Sequence, residues 1–180
     1  MSSVAPIVLA DREGEHRWFD GGLLTFKATG AQTAGALLLL EVRQPEGKTP
    51  PLHVHEADET FYVLEGELLL YIDGKQHGAR NGSVVVVPRG TPHTFVVTSE
   101  TARMLLAFTP ASTVVEEFVR RATQPAPAAA PTLTAPPPDP ERYQTAAERS
   151  GIQVLGPSPL EAFTLAMAAT SETERVAETT

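Results

Sequence analysis

The stretch "PPLHVHEADETFYVLEG", residues 50–66, places two of only five histidines at alternate positions and a glutamate four residues after the second. On an extended strand, residues i and i+2 face the same side. His53 and His55 then point together, close enough to grip one ion. Glu59 has the same parity, although the intervening "EAD" can be a loop. A fourth ligand is expected from a neighbouring strand, where "TPHTF" supplies His93. Three neutral imidazoles and one carboxylate suit a divalent first-row transition metal, with positions left for water or substrate. An isolated His-x-His on a strand is more often surface chemistry, so the pair needs support from the rest of the chain. His16 and His77 lack such partners and read as plain polar residues. Glu56 and Asp58 are the other carboxylates within reach and read as solvated loop charges.

Outward from this segment, residues 23–108 run strand after strand. "GALLLLEV", "TFYVLEG", "ELLLYIDG", "SVVVVP", "HTFVV" and "RMLLAF" are short and rich in branched and aromatic residues. Asp73-Gly74, Asn81-Gly82 and Pro88-Arg89-Gly90 punctuate them as turns. This rhythm predicts an antiparallel sandwich or barrel. The pattern changes at Ser112: "TVVEEFVRRA" puts Val114, Val115, Phe118, Val119 and Ala122 on one helical stripe, with Thr113 and Glu116 spaced as a capping box.

Seven of the sixteen prolines then fall between Pro125 and Pro140, which marks an extended linker or arm over residues 125–140. Asp139-Pro140-Glu141 reads as N-cap, N1 and N2 of a helix ending near Gly151. "IQVLG" reads as a short strand. Ser158-Pro159-Leu160-Glu161 opens another helix to about Ala169, before a disordered tail. The expected division is therefore residues 1–124 as barrel with flanking helix, 125–140 as linker, and 141–180 as a helical extension. The barrel is expected to load metal without anything beyond Thr123.

Composition narrows the function. A chain of 180 residues, 42% apolar, holds one good-sized core. A net charge of −8 argues against nucleic acid or an anionic membrane as partner. With no cysteine there is no disulfide, thiolate ligand or cysteine nucleophile. The start lacks a basic stretch followed by a long apolar run, and no apolar run is long enough to span a bilayer. A soluble, cytoplasmic protein is expected.

These residues carry a resemblance to the cupins. The first cupin motif, G-x5-H-x-H-x3,4-E-x6-G, is matched by Gly47, His53, His55, Glu59 and Gly66. The second, G-x5-P-x-G-x2-H-x3-N, is matched by Gly82, Pro88, Gly90 and His93, with Val97 where asparagine is usual. Fifteen residues separate the motifs, as in small single-domain cupins. The resemblance covers roughly residues 20–110. It implies an all-β antiparallel jelly-roll barrel with peripheral C-terminal helices, and a metal held by His53, His55, Glu59 and His93. Iron, manganese, nickel, cobalt and copper all suit that set. Dimers are common among cupins, so a homodimer is expected.

If the ligands face inward, Phe61, Val63, Phe95 and Val97 are expected to line an apolar pocket beside them. "WFDGGLLTFKATG" before the barrel and "EEFVRR" after it resemble the quercetinase-like cupins. That resemblance implies a metal-dependent dioxygenase of a flavonol-like aromatic. A phenol or enol oxygen would take a position on the ion, its proton passing to Glu59 as general base, and dioxygen would cleave the ring. Two alternatives share the site: a cyclase or isomerase of polyketide-type phenols that uses no oxygen, and a regulatory module that binds a small molecule.

Overall fold

The strand Leu38–Pro45 buries Leu38, Leu40, Val42 and Gln44 at alternate positions, and its partner Thr101–Thr109 does the same with Ala102, Met104, Leu106 and Phe108. Such alternation belongs to a sheet with one face on a core. A computed structural model describes residues 5–127 and 139–162. In chain order its strands are β1 (Glu15–Phe19), β2 (Gly22–Ala28), β3 (Leu38–Pro45), β4 (Leu52–Val54), β5 (Asp58–Glu65), β6 (Glu67–Ile72), β7 (Lys75–Arg80), β8 (Val84–Val87), β9 (His93–Val97), β10 (Thr101–Thr109), β11 (Gln124–Pro125) and β12 (Gln153–Gly156). Helix α1 (Thr113–Ala122) follows β10, and α2 (Pro140–Ser150) precedes β12.

Two antiparallel sheets result, in the order β11-β1-β2-β3-β10-β5-β8 and β12-β4-β9-β6-β7. The fold is the expected jelly roll. The chain crosses from one sheet to the other at Gly66, between β5 and β6. Gly66 has φ +82°, and a Cβ there would stand 2.3 Å from the Thr101 carbonyl oxygen, so only glycine fits the corner. Asp73 and Gly74, both at positive φ, form the tight turn between β6 and β7.

Helix α1 buries Val115, Phe118 and Val119 of the expected stripe. Its cap differs from the Thr113–Glu116 box. Ser112, one residue earlier, is the N-cap, and its hydroxyl accepts from the Val115 amide at 3.1 Å. The Glu116 carboxylate, one position past box register, accepts instead from the Gly30 amide and from Arg120. Helix α2 begins and ends as its sequence predicts. Asp139 accepts from the Arg142 amide at 2.9 Å, Pro140 occupies the first turn, and Gly151 closes the helix at φ +83°. Among the described residues, no helix is long and apolar enough to cross a membrane.

The strand expected at "IQVLG" is β12, and it pairs with β4, the strand that carries His53. Thus β12 extends the five-stranded sheet while α2 packs against α1 through a Phe118–Tyr143 edge contact at 5.0 Å. At Ser158 the hydroxyl accepts from the Leu160 amide, as in a helix start. The continuation of that helix, most of the proline-rich arm and the tail lie outside the described residues.

This pairing predicts more than a detachable extension. A chain ending at Thr123 leaves β4 as an open edge and removes Ile152, Ala146 and Ala147 from the core. We expect it to melt well below the full chain, since each kcal/mol lost lowers Tm by about 2–4 °C at this size. An unchanged Tm in a thermal melt would show that the segment merely rests on the barrel.

Candidate metal centre

Cα pairing between β4 and β9 sets His53 directly opposite His93. Their rings stand 4.4 Å apart, as cross-strand neighbours on one face do. His55 lies just past β4, at the head of the loop "EAD". That loop returns the chain as β5 in the opposite sheet, bringing Glu59 inward beneath the imidazoles. One nitrogen from each of His53, His55 and His93 and one oxygen of Glu59 lie within 4.8 Å of one another. The cluster is the one sequence spacing anticipates.

Backbone carbonyls fix the rings. Nδ1 of His53 lies 2.9 Å from the Pro51 oxygen, that of His55 3.0 Å from Ala57, and that of His93 2.8 Å from Thr91. A carbonyl only accepts, so each Nδ1 carries the proton and donates it. In the neutral tautomer every Nε2 then offers a lone pair to the cluster. Nε2 of His55 and of His93 lie 3.0 Å and 2.8 Å from the same Glu59 oxygen, Oε2. Lone pairs facing a carboxylate repel unless protons or a cation stand between them. The donor set therefore fits a divalent metal, with the carbonyls acting as the outer partners that orient metal-binding histidines.

The second motif's turn is tied to the same place. The Gly90 amide donates to the His55 carbonyl at 2.8 Å. Asp58 accepts from the Arg89 amide and guanidinium at 2.9–3.1 Å, which holds its carboxyl down at about 2. Asp58 is thus a clasp between β5 and the turn before β9. Glu56 is exposed, His77 is exposed on β7, and His16 is buried against the Thr25 hydroxyl at 2.9 Å.

Beside the cluster lies a cavity of about 70 Å³. Six aromatic side chains line it: Phe19, Phe61, Phe95, Phe108, Phe118 and Tyr143. Among the described residues, no lysine or arginine does. Phe61 and Phe95 stand as expected, edge to face at 5.7 Å. Val63 and Val97 do not line the cavity. Both are fully buried in the core two positions further along their strands. Alternation gave the right face but not the depth. Sequence spacing also offered no sign of Pro50, which lies within the first motif, or of Phe19, Tyr143 and Ile152, which reach the cavity from outside the motifs. Phe118 was legible only as part of an apolar helix stripe.

Two outcomes follow from the geometry. Replacing His93 with Ala should leave a folded protein that releases most of its metal; a full equivalent retained at unchanged affinity, by elemental analysis and titration, would contradict the four-ligand cage.

The second concerns pH in the metal-free protein. Burial, helped by the His93 charge, pushes the His53 imidazole down to about 4 from 6.5. The folded state then refuses a proton that the unfolded chain accepts below 6.5. Burial opposes protonation of His93 too, but the Glu59 hydrogen bond and charge outweigh it and raise that ring. Its stabilisation is complete below 6.5 and fades only at higher pH. Burial would raise the Glu59 carboxyl, yet the hydrogen bonds of His55 and His93 hold it below its ordinary 4.5. Its contribution is lost only below that value. Between pH 6.5 and 4.5, His53 therefore lowers stability as the pH falls, by up to about 1.4 kcal/mol per unit, with, among the described residues, only Asp20, whose carboxyl burial raises, opposing it. Denaturant unfolding across that window measures the slope, and a flat or rising stability would refute the assignment.

Residues 40–108 match the cupin domain family and contain the whole cluster. Over 101 residues the chain is 32% identical to quercetin 2,3-dioxygenase of Bacillus subtilis, covering 56% of this chain but only 30% of that enzyme. Its fold is similar to oxalate decarboxylase of Bacillus subtilis, with a TM-score of 0.53 and 23% identity over 62% of this chain and 31% of that one. It is also similar to the polyketide cyclase RemF of Streptomyces resistomycificus, with a TM-score of 0.50 and 24% identity over 58% of this chain and 80% of that one. At these identities the two structures establish the fold alone. Double motif, jelly roll and buried His-His-Glu-His cluster agree: the chain belongs to the cupin family.

Proposed function

We propose that the chain is a metal-dependent dioxygenase of a hydroxylated, flavonol-like aromatic. The observation that carries this reading is the aromatic cavity directly against a three-histidine, one-carboxylate cluster. Aromatic walls favour a planar ring. A dicarboxylate would bring a second negative charge into an apolar cavity that has no lysine or arginine to meet it. The 32% identity to quercetin 2,3-dioxygenase spans the same barrel and supports the same substrate class.

His53, His55, Glu59 and His93 would hold the ion. When bound, a divalent metal supplies Lewis acidity that stabilises a phenolate or enolate oxygen. The remaining chemistry falls to the chain. Glu59 Oε2 is the oxygen shared by His55 and His93, whereas Oε1 takes part in neither hydrogen bond. Oε1 is the atom we assign to accept the substrate hydroxyl proton. The aromatic walls exclude water and hold the electron-rich ring for dioxygen, both atoms of which end in the cleaved product.

A cyclase or isomerase of a polyketide-type phenol would use the same cavity and the same base. Oxygen separates the two. Metal-loaded protein should consume dioxygen in step with flavonol loss, whereas conversion that continues without oxygen would favour the cyclase reading. For the base, metal-reconstituted Glu59→Gln should still bind flavonol yet turn it over about a hundredfold more slowly, within the usual range for general-base catalysis. Near-normal turnover in the loaded variant would leave Glu59 as a ligand only.

A further inference from the structure

The cavity against the metal cluster is small. About 70 Å³ holds roughly two waters, whereas pockets for drug-sized ligands run to about 300–1,000 Å³. A second chamber of about 280 Å³ adjoins it. Phe19, Pro50 and Tyr143 line both spaces and form the partition between them. Phe19 and Tyr143 stand nearly parallel, at 19° and 6.5 Å. The two volumes together pass the lower bound for a ligand of flavonol size.

The outer chamber's polar lining includes Gln44, Asp20, Thr49, Asp139 and Gln144, and Gln44 stands out among them. Gln44 is the last inward residue of β3, in the row that otherwise reads Leu38, Leu40 and Val42. It is 1% exposed, and its Oε1 has no hydrogen-bond partner. A buried acceptor left unmet is costly, and a hydroxyl donor entering the chamber would satisfy it. The neighbouring backbone makes room for this side chain: a Cβ at Gly22 would stand 2.8 Å from Gln44 Cγ. Asp20, in the turn between β1 and β2, adds a carboxyl that burial raises, against the opposing charge of Lys48. Among the described residues, neither chamber is lined by lysine or arginine. An aromatic wall beside acceptors suits a ring that carries hydroxyl donors.

We propose that the outer chamber is a binding subsite for the second, hydroxylated ring of a two-ring phenol whose first ring enters the metal cavity, with Gln44 Oε1 accepting one of its hydroxyls and Tyr143 turning aside to join the two spaces. The subsite rests on the phenol reading of the metal cavity. Among the described residues no hydrogen bond holds the Tyr143 hydroxyl, so only packing against Phe19, Phe118 and the core keeps its ring in place.

Binding to metal-loaded protein without oxygen tests the subsite apart from turnover. Quercetin, a fused bicycle joined to a separate hydroxylated ring, supplies both ring systems, and catechol is the one-ring probe. Gln44→Leu removes the acceptor at similar size, and Gln144→Trp fills the chamber from an exposed position on α2. Each variant should lower the quercetin-to-catechol affinity ratio about tenfold, near the upper net value of one hydrogen bond. Should Gln44→Leu fail to fold, Gln144→Trp alone decides. An unchanged ratio in the folded variants, or a wild type that binds both probes equally, would overturn the subsite. Flavonol-dependent oxygen uptake with an unchanged ratio would leave the dioxygenase standing and remove the chamber. A lowered ratio without uptake would do the reverse.

Discussion

Glu59 Oε2 sits 3.0 Å from His55 Nε2 and 2.8 Å from His93 Nε2, and this shared carboxylate joins the two sheets at the centre of the molecule. Glu59 belongs to β5 in the seven-stranded sheet, His53 and His93 to β4 and β9 in the five-stranded one. Four buried or half-buried polar side chains in an apolar core are a liability unless each is satisfied. Here the outer nitrogens are met by carbonyls of the loops flanking β4, β5 and β9. Those loops must therefore have fixed shapes, and the Gly90–His55 and Arg89–Asp58 hydrogen bonds give two of them theirs.

The part of this arrangement legible in the sequence is the part set by local spacing. His53 and His55 two apart, Glu59 after a three-residue loop, and His93 after a Pro-x-Gly turn are fixed by short-range geometry. Strand alternation likewise identified the inward faces. What alternation cannot supply is depth along the barrel axis. Phe61 and Phe95 sit level with the metal cluster, while Val63 and Val97, on the same faces, fall two positions away into solid core. The one-residue error at Ser112 has another origin: Ser112 and Thr113 both offer a capping hydroxyl, and a tertiary contact to Gly30 with an i,i+4 pair to Arg120 claims Glu116.

Long-range placement was not legible. Tyr143 stands in a helix of mostly charged and polar residues, and Phe19 ends a short strand before a turn; neither has a spacing that relates it to His53. Their meeting follows from β12 pairing with β4, which draws α2 over the open side of the barrel. The double motif holds the four cluster residues with Phe61 and Phe95, yet Phe19, Phe108, Phe118 and Tyr143 of the cavity wall lie outside it. Shared motifs therefore report the ion's surroundings better than they report the substrate.

The metal-free cluster has an internal means of holding together. Glu59 is kept ionised by His55 and His93, His93 is raised toward its charged form by Glu59, and His53 is kept neutral by burial and by the His93 charge. Glu59 and the Nε2 nitrogens of His55 and His93 thus partner one another, and the loop carbonyls meet the outer nitrogens, so the cluster's polar groups are satisfied within the fold. A divalent ion would be held by these same nitrogens and the Glu59 carboxylate. On the proposed reading the metal would enter a site whose side chains the fold already brings together, and its charge would act beside an apolar cavity. A phenolic oxygen, the group the proposed function brings there, would meet that charge next to the carboxylate assigned to take its proton.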